Sequence, residues 1–275
     1  MAMPTAWMPL RYEQGDGMAL IVELLGRLRR KAARPPSDRP LPRGYAVCGA
    51  PRSGSNYFCE ILSSTGRLGH PREYFNANAR RAIDDPNFPD DPHLQIERIL
   101  TSGATQNGIY ALKLFPGLFD TVSQHLKLTQ ALPNLHFVRL RRRDLLGQAI
   151  SWARSTQTQQ FRSTQTPSGE GRYDADLTRA YLAQACQRSA RWDMYFARTG
   201  IDPVEVTYEE LSSDPQGAVD KVADALNVAR PRVALDRVRL EVQRDELSGE
   251  WRRRFIAEHG DPSHIDPVEA MAATL

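Results

Sequence analysis

From Tyr45 onward, short apolar runs alternate with segments whose apolar residues recur every three or four positions. The runs Tyr45–Cys48, Ile109–Phe115, His136–Leu140 and Val204–Thr207 read as strands, with a shorter piece near Arg72–Phe75. Helical spacing covers 55–65, 93–101, 118–130, 144–158, 176–198 and 215–227. Alternation of this kind predicts an α/β fold, a three-layer sandwich with a central, mostly parallel sheet and helices on both faces. Ligands of such sheets bind beyond the carboxyl ends of the strands. The stretch 161–174 (FRSTQTPSGEGRYD) is polar and aperiodic, and reads as a surface loop and a candidate lid.

The first predicted strand runs straight into Gly49-Ala-Pro-Arg-Ser-Gly-Ser-Asn56, and a helical pattern begins at position 55. A strand, a tight turn of small residues and a helix start make a phosphate cradle, because the first-turn N–H groups and the positive end of the helix dipole face the loop. A nucleotide P-loop reads G-x-x-x-x-G-K-[ST]. Here no Lys follows the second glycine, and Arg52 lies inside the loop instead. The competing reading is a Gly/Ser capping turn carrying a solvated arginine.

A second basic turn lies further on. His136-Phe-Val-Arg-Leu140 runs into Arg141-Arg142-Arg143-Asp144, with Asp144 placed to cap a helix whose apolar stripe is Leu146, Ala149, Ile150 and Ala153. Ser151 falls about two turns into that helix. Arginine suits a phosphate because its planar fork gives bidentate, charge-assisted bonds. Three consecutive arginines cannot all face one ligand, and a solvated basic turn is the competing reading.

Composition narrows the field only a little. The 275 residues are 41% apolar and 25% charged, ordinary globular values. The net charge of +3 is uneven: residues 1–43 hold eight Lys/Arg against four Asp/Glu, so the remainder sums to −1. A near-neutral body argues against a nucleic-acid partner. Three cysteines without metal or CxxC spacing predict neither a disulfide framework nor a metal site, and point to the reducing cytoplasm. No signal-peptide pattern opens the chain, and no apolar run reaches the roughly 20 residues that span a bilayer.

The organisation expected is an N-terminal extension over 1–43 and a main domain over 44–275. Residues 18–31 (MALIVELLGRLRRK) form a basic amphipathic pattern, and four prolines between Ala33 and Pro42 read as a linker. Such a helix can rest on an anionic membrane surface, or pack on its own domain or a partner subunit.

These motifs, taken in order, resemble one family. G-A-P-R-S-G-S at 49–55, G-H-P-R-E-Y-F at 69–75, G-I-Y-A-L-K-L at 108–114, L-R-R-R-D-L-L-G-Q-A-I-S at 140–151, Y-E-E-L at 208–211 and Q-R-D-E-L-S-G-E-W at 243–251 look like the bacterial trehalose 2-sulfotransferase-like (Stf0-type) family. These are sulfotransferases that use 3′-phosphoadenosine 5′-phosphosulfate (PAPS). The resemblance spans about Tyr45 to Phe255. It implies the P-loop-NTPase-like sulfotransferase fold, PAPS as donor, no metal, a carbohydrate or glycolipid acceptor and a homodimer.

The resemblance also implies roles. Pro51, Arg52, Ser53, Gly54, Ser55 and Asn56 would hold the 5′-phosphosulfate. Arg142 or a neighbouring arginine, with Ser151, would hold the 3′-phosphate. Glu73 would be the general base toward the sugar hydroxyl, made more effective if burial raises its pKa. Asn56 stands where the family usually has Thr, and Arg143 where some relatives have Pro.

Read from the residues alone, Glu73 is a surface carboxylate paired with Arg72, and it is the resemblance that makes it a base. Lys113, in an otherwise apolar strand, either orients the sulfuryl group or the acceptor, or emerges into solvent. Gln157 and Thr158 are candidate sugar contacts. The histidines read as structural, His70 being the one close to Glu73. Two other functions fit parts of the pattern: a P-loop kinase with a degenerate loop, and a non-catalytic module that binds PAP, the desulfated donor, or another anion.

Overall fold

The computed structural model describes residues 42–240, 246–263 and 265–266. The chain divides into Met1–Leu41 and Pro42–Leu275. All but the last two residues of the expected extension, including the 18–31 helix and its membrane contact, lie outside the described residues.

Four strands, β1 (Arg43–Cys48), β2 (Ile109–Leu114), β3 (Leu135–Arg141) and β4 (Val204–Thr207), form one parallel sheet in the order β2-β1-β3-β4. The helices in chain order are α1 (Ser55–Ser64), α2 (Ala77–Ile83), α3 (Pro92–Thr101), α4 (Pro116–Ser123) and α5 (Leu128–Ala131). They continue with α6 (Leu145–Thr158), α7 (Ala175–Thr199), α8 (Tyr208–Ser213), α9 (Pro215–Ala225) and α10 (Glu246–His259).

Successive strand side chains point to opposite faces, and both faces are buried. Tyr45, Val47, Val138 and Val206 pack with α1, α8 and α9, while Ala46, Cys48, Tyr110 and Leu112 pack with α3, α4 and α7. The expected three-layer sandwich is the observed architecture. A third, smaller cluster joins Ile150 and Ala153 of α6 to Trp251 of α10.

Two expectations fail. Residues 72–75 form a turn, not a strand, tightened by bonds from the Tyr74 N–H to the Arg72 carbonyl and from the Asn76 N–H to the Glu73 carbonyl. Adjacent Tyr74 and Phe75 are both buried, which a strand with one buried face does not allow. The pattern over 118–130 contains two helices, α4 and α5. Leu126 and Leu128, both buried, lie about 200° apart on a helix and cannot share one face. Helices α2, α8 and α10 were not among those expected. No helix of the described residues is long and apolar enough to cross a membrane.

Candidate active site

The carboxyl ends of all four strands feed one open cavity of about 830 Å³. Arg52 and Gly54 come from the loop after β1, Lys113 from the end of β2, Arg142 from the turn after β3, and Tyr208 from the start of α8 after β4. Of the residues singled out in the sequence, Pro51, Arg52, Gly54, Ser55, Asn56, Glu73, Lys113, Arg142 and Ser151 all line it.

The loop after β1 is held by two helices. Trp192 of α7 donates its indole N–H to the Gly49 carbonyl (2.9 Å), and Gln148 of α6 donates to the Pro51 carbonyl (2.7 Å). Gly54 caps α1 in the left-handed region (φ +86°) and offers no side-chain cap, so the first-turn N–H groups stay available for an anion. A Cβ at Gly54 would also meet the Tyr208 ring at 2.4 Å, so glycine is required there twice over. Ser53 is 1% exposed and turned away from the cavity, and its hydroxyl has no partner among the described residues.

Arg52 spans the site. Its Nε donates to the Ser151 hydroxyl (3.0 Å) and one terminal nitrogen to the Phe161 carbonyl (2.6 Å). Burial, then the neighbouring Arg142 charge, moves its pKa down from the ordinary arginine value.

The structure separates the three arginines. Arg141 pairs with Asp193 (2.8 Å) and Glu205 (3.3 Å); Arg143 is 68% exposed beside Glu209 (3.7 Å). Arg142 alone turns to the cavity, over the Tyr208 ring at 4.6 Å and donating to the Arg52 carbonyl (3.3 Å). Its Nε is buried without a partner among the described residues. Asp144 caps α6 as expected by accepting from the Gly147 N–H (2.9 Å), and it also binds Arg252 of α10.

Glu73 and Lys113 meet. Glu73 Oε1 lies 2.7 Å from Lys113 Nζ, and Oε2 accepts from Asn76 (3.0 Å). Lys113 is 5% exposed and donates also to Asn56 on α1, so one cation ties the loop's helix to the carboxylate. The pairing of Glu73 with Arg72 does not occur: Arg72 binds Asp84, as does Arg80. Burial pushes the Glu73 pKa up, but the Lys113 charge and hydrogen bond, with Asn76 and Arg80, outweigh it and hold the carboxyl below its ordinary value. The condition that would make it a more effective base, a pKa raised by burial, is therefore not met.

Gln157 and Thr158 are engaged elsewhere. Gln157 exchanges hydrogen bonds with the Arg172 backbone, and the Thr158 hydroxyl donates to the Arg154 carbonyl. Sequence reasoning missed Tyr208, although the Y-E-E-L motif contained it, and missed Phe161, which lies in the stretch read as a lid. Among the described residues no group of three His, Cys, Asp or Glu side chains is placed to hold a metal.

The family model "Stf0 sulphotransferase" matches residues 44–258. The trehalose 2-sulfotransferase of Mycobacterium tuberculosis is 28% identical, over 78% of this chain and 95% of that protein. That of Mycolicibacterium smegmatis is 26% identical, over 78% and 94%. Among solved structures, the sulfotransferase domain from the Synechococcus PCC 7002 olefin synthase is 14% identical with a TM-score of 0.45, covering 87% of this chain and 95% of its own. The sulfotransferase domain from the curacin biosynthetic pathway is 13% identical with a TM-score of 0.40, covering 85% and 96%.

Proposed function

The chain belongs to the Stf0 sulphotransferase family, and from that premise we propose that it moves a sulfuryl group from PAPS to a hydroxyl of a trehalose-like carbohydrate. One observation carries the reading. The anion cradle around Arg52 and the Glu73–Lys113 pair share a single cavity, bridged by the bond from Lys113 to Asn56.

The residues present fit the donor. An uncapped helix N-terminus with Arg52 suits the phosphosulfate. Arg142, with a buried Nε still lacking a partner among the described residues, and Ser151 suit a second phosphate. PAPS supplies an activated sulfuryl group. The protein's part is to orient it and to neutralise charge that builds on the oxygen left on the 5′-phosphate. Arg52 and the N-terminus of α1 do this work.

The acceptor hydroxyl loses its proton to a Glu73 oxygen as its own oxygen bonds to sulfur and the bond from sulfur to the 5′-phosphate breaks. The depressed pKa keeps Glu73 ionised at neutral pH, ready to accept that proton. Lys113, shared between Asn56 and Glu73, couples the donor cradle to the base.

Calorimetric titration with PAP, run beside ATP plus Mg²⁺, tests the donor class. Micromolar PAP binding without an ATP response is expected, followed by transfer of label from PAPS to a sugar. ATP binding would move the protein to the kinases, and silence from both would sink the proposal.

A further inference from the structure

Phe161 is one of the few large apolar side chains that the described residues leave exposed, at 43%, and it stands at the cavity. Single exposed apolar residues need no explanation, but this one is held in place by a built turn. The Gln165 side chain accepts from the backbone N–H of Phe161 (2.8 Å) and of Arg162 (2.9 Å). Gln160 in turn donates to the Gln165 carbonyl (2.7 Å). The Phe161 carbonyl is tethered by Arg52 (2.6 Å), the residue assigned to the donor. Across the cavity lining, Ile83 at the end of α2 is half exposed as well. A polar cradle for phosphates therefore shares its cavity with an aromatic side chain that the described chain covers only in part.

The geometry points to Phe161 as an acceptor-contact residue: its ring is the platform on which the acceptor lays an apolar face, the C–H side of a pyranose ring. This inference rests on the carbohydrate reading above and names a residue that reading does not assign. Three features support it. A rigid aromatic gives large contact area at small entropic cost. Sites for small molecules pair such apolar walls with a few fixed polar groups, here Glu73 and Lys113. Finally, the tether runs through the Phe161 backbone carbonyl, so the arginine assigned to the donor anchors the backbone that carries the ring.

That last feature makes the test clean. Replacing the side chain leaves the carbonyl, and so the Arg52 tether, in place. Phe161→Ala is expected to raise the acceptor KM about tenfold or more, the loss of one aromatic contact, with kcat nearly retained and PAP affinity unchanged. Phe161→Tyr and Phe161→Trp should restore KM. The measurements are steady-state sulfation of trehalose and a panel of pyranosides with labelled PAPS, and calorimetric PAP binding to each variant. An unchanged KM in Phe161→Ala would overturn the platform while leaving the function intact. Equal loss of PAP affinity would overturn it too, showing that the residue serves the donor loop. If the wild type binds PAP yet neither sulfates nor binds any pyranoside, the carbohydrate reading falls and the platform with it.

Discussion

Glu73 Oε1 lies 2.7 Å from Lys113 Nζ, and neither group has much access to water. A buried pair is costly to break from one side, because the survivor keeps its desolvation without its partner. Glu73→Gln should leave PAP affinity intact and lower turnover by about two orders of magnitude or more. It should also reduce stability by roughly 3 kcal/mol, since Lys113 then keeps its desolvation without an anionic partner among the described residues. Paired calorimetry, turnover and denaturant titration separate the three effects. Turnover near the wild-type level would remove Glu73 from the role of base.

Lys113→Met tests the same pair from the other side. Without the lysine, burial acts on Glu73 with much less opposition, so its pKa should rise from below the ordinary glutamate value to above it. The acid limb of the kcat–pH profile should move upward with it, because the base is lost as pH falls through its pKa. A limb that stays put would mean that another group accepts the proton.

The basic turn makes a graded prediction. Arg142→Ala should weaken PAP by about a hundredfold, as expected for a buried, charge-assisted phosphate contact. Arg143→Ala, at an exposed position, should change it little. The discriminating ligand is adenosine 5′-phosphosulfate, which lacks the 3′-phosphate. Its affinity should be the same in wild type and Arg142→Ala. A loss for both ligands alike would place Arg142 at the 5′ end instead.

Much of this was legible in the chain, for reasons that differ by residue. The strands showed as apolar runs because both sheet faces are covered, and the helix after Asp144 showed by its cap and its stripe. Arg52 and Glu73 stood out through short motifs. What could not be read was the partner of each group. Glu73 sits next to Arg72 in sequence, but its charge partner is 40 positions away on β2, and the choice among three arginines depends on where Tyr208 places its ring. The turn at 72–75 looked like a strand because two aromatic residues mimic an apolar run. Its hydrogen bonds close locally instead.

The pH dependence of stability draws on the depressed carboxyls of the described residues, of which Glu73 and Asp144 are the more buried. Besides Glu73, Asp144 is held low: burial raises it, but bonds from Arg252 and the Gly147 N–H and the Arg142 charge prevail. A group whose folded pKa lies below its unfolded value stabilises the fold above the unfolded value and loses that contribution as pH falls through the folded one. The contribution of these carboxyls should therefore hold down to about pH 4 and then be lost, on top of the earlier fall below about pH 6.5 that the burial-lowered pKa values of His70 and His136 impose. Glu73→Gln should flatten the fall below about pH 4 in part. Equal slopes in wild type and variant would show that Glu73 contributes nothing to it.

Gly54 carries the sharpest steric prediction, because two independent constraints meet there. Its φ of +86° is left-handed, and a Cβ would sit 2.4 Å from a carbon of the Tyr208 ring. Gly54→Ala should cost about 2 kcal/mol or more from backbone strain and overlap. It should also reduce PAP affinity, since Tyr208 can give way only by moving from beneath Arg142. In a Tyr208→Ala background the overlap is gone but the strained φ remains, so Gly54→Ala should cost less stability there than in the wild type, though not nothing. Because Tyr208 also supports Arg142, PAP affinity should not recover in that background. A Gly54→Ala cost that vanishes in the Tyr208→Ala background would place it all in the overlap; an equal cost in both backgrounds would place it all in the backbone.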